Sequence, residues 1–238
     1  MAVLNEVEET GRNYGWLSAQ AGRRSYPHER IEPVQSAFQC LDRLPVMSAT
    51  ILGLDLLLRE PAIDLQGVSE LILGDIGATI HILRTVSKEY DLAEVPSVRI
   101  GDCLASLDSR ACFDLLSAHA LPGDSGRSMT TAFWRHSRVV ALYSKQIAAS
   151  TIGMWPEEAY LVGLLHEVDA LPAVLELVGR GPGVNAQEVR RALDGILPVA
   201  IATGIRRGND VKTPSAWRTL LSAAHQLAGP WSGPSGQL

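Results

Sequence analysis

PEEAYLVGLLHE, residues 156–167, decides how this sequence is read. Pro156 fits the first turn of a helix, where its missing N–H costs nothing, and Glu157 and Glu158 suit the positive end of the helix dipole. The helix so begun passes through Tyr160, Val162, Leu164 and Leu165 and delivers His166 and Glu167 at its far end. Upstream, Thr130 or Thr131 is expected to open a long helix reaching about Ser150. On it Val140, Tyr143 and Ile147 follow His136 at i+4, i+7 and i+11, which puts that imidazole on or beside a buried face.

The same signals recur outward from this centre. Leu44-Pro45 ends one short helix, and another runs from about Ser48 to Arg59 with Ile51, Leu54 and Leu58 at helical spacing. Asp64 and Asp75 are candidate caps for helices carrying Leu65, Val68, Leu71 and Ile72, then Ile76, Ile80 and Leu83. Asp102 and Asp108 are placed to cap two more, over Cys103–Leu107 and Ser109–Ala120. Asn185 and Glu188 have capping-box spacing. Thr213-Pro214 opens a last helix bearing Trp217, Leu220, Leu221 and Ala224, and Gly229 ends it. Strand signals are confined to Val95–Ile100, which Pro96 weakens. The reading is all-α and two-lobed. One domain is expected over 33–229, with a helical lobe at about 33–123 and a second at about 128–229, divided at the Gly123–Gly126 loop. Residues 1–32 form an N-terminal extension and 230–238 a loose tail.

Composition excludes several classes. The chain has 238 residues, 46% of them apolar and 20% charged, enough to bury a core. Its 21 Lys and Arg against 26 Asp and Glu give a net charge of −5, so there is no chain-wide footprint for nucleic acid or anionic lipid. Only 5% of residues are aromatic, which argues against a base-stacking surface. No apolar run reaches the ~18 residues of a membrane span, and Asp55 interrupts the longest candidate, Val46–Leu58. Met1–Thr10 is acidic and lacks the apolar core of a secretory signal. Cys40, Cys103 and Cys112 are odd in number and have no Cys-x-x-Cys spacing, so they are expected to be reduced, packed thiols of a cytoplasmic protein. Arg190, Arg191, Arg206, Arg207, Lys212 and Arg218 make the C-terminal region locally basic, and such a run reads first as a solvated face. Gly179–Gly183 is glycine-rich, but Pro182 removes one of the amides a phosphate cradle needs.

A metal site requires neutral imidazoles and ionised carboxylates that converge from different helices. His136, His166, Glu167 and a late residue of the last helix make a plausible set. Against it stands the commoner case, in which a histidine on an apolar helix face is a hydrogen-bonded part of the core.

These residues also carry a family resemblance. Phe133-Trp134-Arg135-His136-Ser137, followed by Glu157 to Glu167, resembles the core of the HD superfamily, and most of all its HDOD branch, the HD-related output domain of bacterial signalling proteins. Leu44-Pro45-Val46-Met47, Glu60 to Leu65, Gly74-Asp75-Ile76-Gly77 to Arg84, and Ile100-Gly101 to Arg110 are similar to that branch's earlier helices. The likeness runs from about Val34 to Ala228.

The resemblance implies where a hydrolytic ligand set would lie. HD phosphohydrolases hold metal with a His, an adjacent His-Asp pair and a distant Asp. His136 matches the first His and His166 the His of the pair, while Glu167 stands where Asp is expected. Its extra methylene moves the carboxylate outward by ~1.5 Å, one C–C bond. The distant Asp aligns with His225, and Asp169-Ala170 replaces a Gly-Lys common in the enzymes. Mg²⁺ and Mn²⁺ prefer oxygen-rich sets; three imidazoles with one displaced Glu suit them less, though they could suit zinc.

The expectation is therefore a non-catalytic, cytoplasmic, bacterial-type HDOD regulatory module. It has no catalytic residue, metal or cofactor, and His136, His166, Glu167 and His225 are vestigial positions. It would bind a signalling partner or a small ligand, in an interlobe cleft near His136 and His166 or on the apolar surface of the first lobe, and a homodimer is compatible with this. Membrane and nucleic acid are not expected partners. The alternative is a metal-dependent phosphohydrolase acting on a nucleotide or cyclic dinucleotide.

Overall fold

The computed structural model describes residues 39–89, 92, 100–121, 127–180, 185–210 and 212–229. The proposed extension at 1–32, the tail at 230–238, the loop 123–126, the weak strand signal at 95–99 and Gly181–Gly183 lie outside the described residues.

Short apolar-periodic segments behind good caps give helices throughout. The first group is α1 (Ser48–Leu58), α2 (Leu65–Leu73), α3 (Ile76–Glu89), α4 (Ile100–Ser106) and α5 (Ser109–Ser117). The second is α6 (Arg127–Ala149), α7 (Pro156–Leu165), α8 (Leu171–Leu177), α9 (Ala186–Asp194), α10 (Val199–Asn209) and α11 (Ala216–Ala228), with a 3-10 turn at Val168–Ala170. No strand occurs among the described residues; the one extended pairing is an isolated parallel bridge between Val46 and Ala120. There Val46 N–H donates to the His119 carbonyl and Leu121 N–H to that of Val46, both at 2.9 Å.

The predicted caps can be checked bond by bond. Asp64 accepts from the Gln66 N–H at 3.1 Å, and Asp108 from those of Arg110 and Ala111 at 2.9 and 3.0 Å. Asn185 and Glu188 form the complete capping box. Some starts differ from expectation. α4 opens at Ile100, so Asp102 lies inside its first turn. α5 stops at Ser117 and does not reach Ala120, because Ala120 pairs with Val46. α6 begins at Arg127, a turn before Thr130, whose side chain is fully buried within the helix. α11 is capped by Ser215, whose hydroxyl accepts from Arg218 N–H at 3.1 Å, and not by Thr213. Gly229, at φ +77°, takes the left-handed conformation that ends it.

The helices pack as two lobes, α1–α5 and α6–α11, with α6 lying along α7 and crossed by α11. The α6–α7 contact is close because Gly163 has no side chain: a Cβ there would stand 2.8 Å from the Ala141 Cα and 2.6 Å from the Ser144 hydroxyl. Phe133, Leu164 and Leu165 fill the core beside it. Specific bonds join the lobes. Asp75 is fully buried at the start of α3 and accepts from Met47 N–H at 2.7 Å, Ala78 N–H at 3.1 Å and Thr50 Oγ1 at 2.9 Å. Its fourth donor is the Trp134 indole of the second lobe, at 2.8 Å. Tyr160 donates to the Leu73 carbonyl at 2.9 Å, and Arg180 donates to the carbonyls of His119 and Ala120 at 3.3 and 3.0 Å.

Candidate functional site

The second lobe brings one cluster of metal-ligating groups together. His136 comes from the middle of α6, His166 and Glu167 from the turn that ends α7, and His225 from the last turn of α11. Ligating atoms of all four lie within 4.8 Å of one another. The ring centroids are 6.0 Å apart for His136 and His166, 5.1 Å for His136 and His225, and 4.4 Å for His166 and His225. Glu167 Oε1 stands 3.9 Å from His136 Nε2 and 3.7 Å from His166 Nε2.

The end of α7 sets the orientation of His166. Helix carbonyls near the C-terminus lack an intrahelical N–H partner, and His166 Nδ1 bonds the Gly163 carbonyl at 2.6 Å. A carbonyl only accepts, so Nδ1 carries a proton and Nε2 is the ring nitrogen that faces the cluster. Asn209 of α10 fixes the same residue from the other side, donating to the His166 carbonyl at 2.6 Å. Neither His166 Nε2 nor Glu167 Oε2, both buried, has a hydrogen-bond partner among the described residues. Burial pushes the His136 and His225 imidazoles below their usual range, His225 to about 4, so both are neutral at neutral pH. Burial alone would raise the Glu167 carboxyl, but the surrounding imidazoles of His166, His136 and His225 hold it below its ordinary value.

All four residues singled out in the sequence thus occupy one place, including His225, which alignment alone had put there. Their donor set does not fit the hard ions of HD hydrolysis, because it offers a single carboxylate where octahedral Mg²⁺ or Mn²⁺ asks for several oxygens. It does fit a borderline ion such as zinc. Asn209 and the Gly163 carbonyl were missed, and no local sequence signal marks either. Asp169 is not a member: it pairs with Arg190 of α9. Arg206 pairs with Asp194 at 2.8 Å, so two cations of the basic stretch are locally neutralised.

The interlobe cavity is elsewhere. A space of about 820 Å³ lies between α2 and α4 on one side and α6 and α7 on the other, lined by Glu70, Asp102, Arg138, Leu142, Lys145 and Tyr160 among others. None of the four clustered residues lines it, which corrects the expectation of a cleft near His136 and His166.

The structure is an all-helical, two-lobed domain that gathers this cluster in its second lobe. The HDOD domain profile matches residues 44–178, and the chain belongs to that family. Two crystal structures of the MmoQ response regulator from Methylococcus capsulatus str. Bath share the fold. One, of fragment 20–298, has 20% identity and a TM-score of 0.62, covering 79% of this chain and 84% of that one. The other has 19% identity and a TM-score of 0.64, covering 79% and 87%. No curated protein matches the sequence. No described helix is long and apolar enough to cross a membrane.

Proposed function

We propose that the chain is a non-catalytic HDOD module of a bacterial signalling type, which works by binding a protein partner or a small ligand. One observation carries this: the cluster at the hydrolytic position offers three imidazoles and one carboxylate, a set poor in the oxygen donors that phosphoryl chemistry on Mg²⁺ or Mn²⁺ uses. Family membership supports it, as does the likeness to a protein described as a response regulator. Two surfaces suit binding. The interlobe cavity presents Arg138 and Lys145 opposite Glu70 and Asp102, so a ligand there would meet charge of both signs. On the first lobe Leu52, Leu56, Ile63 and Leu65 stand exposed, and apolar side chains in such number suit a protein partner. A ligand at either place would act through its differential affinity for two arrangements of the lobes.

The convergence of all four side chains favours one competing reading, a metal-dependent phosphohydrolase. Assay of the wild type and of Glu167→Asp with cyclic dinucleotides and nucleotides in Mg²⁺ or Mn²⁺ separates the two. Neither protein should turn substrate over, because His225 and Ala170 still depart from the enzymes' pattern. Turnover by wild type that His136→Ala and Glu167→Ala both abolish would establish the enzyme instead.

A further inference from the structure

We propose that His136, His166, Glu167 and His225 form a closed site for one zinc-class ion, which ties α6, the end of α7 and α11 together. The inference rests on the non-catalytic reading above and adds a regulator to the same cluster. The donors already stand within 4.8 Å of one another. Around zinc, with bonds of ~2.0–2.1 Å, tetrahedral donors lie roughly 3.4 Å apart. Each side chain therefore closes by on the order of 1 Å, a small rotation about its χ angles.

Two atoms are prepared for it. The His166 side chain is only 3% exposed, its Nδ1 is engaged by the Gly163 carbonyl, and its Nε2 has no hydrogen-bond partner among the described residues. That is the outer-sphere arrangement found behind metal-bound histidines. Glu167 Oε2 is likewise buried without a hydrogen-bond partner. Buried polar atoms without partners are uncommon, and ligation would satisfy both.

The donor types choose the ion. Imidazole nitrogens suit zinc and its neighbours, whereas Mg²⁺ keeps to oxygen. Four protein donors fill a tetrahedral shell and leave no position for an activated water, which marks a structural or regulatory site, not a catalytic one. The ion would tie the late helix α11 to the consecutive helices α6 and α7, so occupancy would stiffen the second lobe against its own opening.

The full chain, stripped with a chelator, reloaded with Zn²⁺ and then desalted, should retain one zinc per molecule on elemental analysis. Before reloading, the thermal midpoint of the stripped chain should rise with equimolar Zn²⁺ and stay put with millimolar Mg²⁺. Co²⁺ should give the intense visible band of a four-coordinate ion. His225→Ala, at a half-buried position, should fold and lose the retained zinc, the midpoint shift and the cobalt band. Failure of wild type to retain zinc, two ions per chain, an equal response to Mg²⁺, or undiminished retention in His225→Ala would each overturn the site and leave the non-catalytic reading standing. Phosphodiester hydrolysis by the zinc-loaded chain would overturn both, since it needs an open coordination position.

Discussion

Removing the Asp75 carboxylate strands four donors at once: two backbone N–H groups, the Thr50 hydroxyl and the Trp134 indole. Each buried donor left unsatisfied costs about 1–3 kcal/mol, so Asp75→Ala should lose roughly 4 kcal/mol or more by urea denaturation, and Asp75→Asn, which keeps one acceptor oxygen, clearly less. His81 makes a different demand. It is buried, donates from Nε2 to the Leu44 carbonyl at 2.9 Å and stacks on His119 with centroids 3.8 Å apart. Burial pushes its pKa down to about 4. The unfolded chain, with a histidine near 6.5, therefore takes the proton first. Stability is full above about pH 6.5, falls as pH drops towards 4, and gains no further slope from this residue below that. The share of His81 is about 3 kcal/mol. Urea midpoints measured from pH 7 to 4 should fall less steeply in His81→Gln; an unchanged slope would show that His81 does not titrate this way. Of these two residues the sequence disclosed only part. An Asp before an apolar-periodic run signals a cap, which Asp75 is, but nothing local tells that a tryptophan 59 positions away completes its shell.

Helices reveal themselves in sequence to the extent that their own residues determine them. Asp64, Asp108 and Asn185 were legible as caps because the cap bond is made within three residues. α8 and α10 were not singled out. Pro172 stands in the first turn of α8, a short helix with no side-chain cap, and Gly204 and Gly208 inside α10 carry the usual signature of a break. In the folded chain Gly204 serves another purpose: a Cβ there would lie 2.6 Å from Val162 Cγ2 and 3.2 Å from the Trp217 ring, so the glycine admits α7 and α11 to close contact with α10. The same geometry at Gly163 yields a sharper expectation. Its missing Cβ faces backbone at Ala141 as well as the Ser144 hydroxyl, and backbone cannot rotate aside. Gly163→Ala should therefore destabilise by about 1–3 kcal/mol despite alanine's better helix propensity. Ser144→Ala should not rescue it. Chemical denaturation of the single and double variants checks both statements. At the metal-ligand positions, spacing on α6 and α7 was readable, whereas the approach of His225 depended on the crossing of α11, which tertiary packing sets.

Across the whole molecule, the lobes are joined by bonds at identifiable side chains. Arg180 reaches from the second lobe to the carbonyls of His119 and Ala120, beside the bridge that joins Val46 to Ala120. Arg180→Ala should raise hydrogen exchange at the Val46 and Leu121 amides by roughly tenfold, about 1.4 kcal/mol of local stability, while leaving exchange in α7 unaltered. Uniform acceleration throughout the chain would instead mean that Arg180 supports global stability only. The Val46–Ala120 bridge has a broader consequence. Since those two residues are neighbours, the polypeptide begins and finishes α1–α5 at one point of the structure. A relative's segment grafted between these positions should leave the ends it joins unmoved, provided it supplies acceptors for the Trp134 indole and the Tyr160 hydroxyl and a donor for the Leu44 carbonyl.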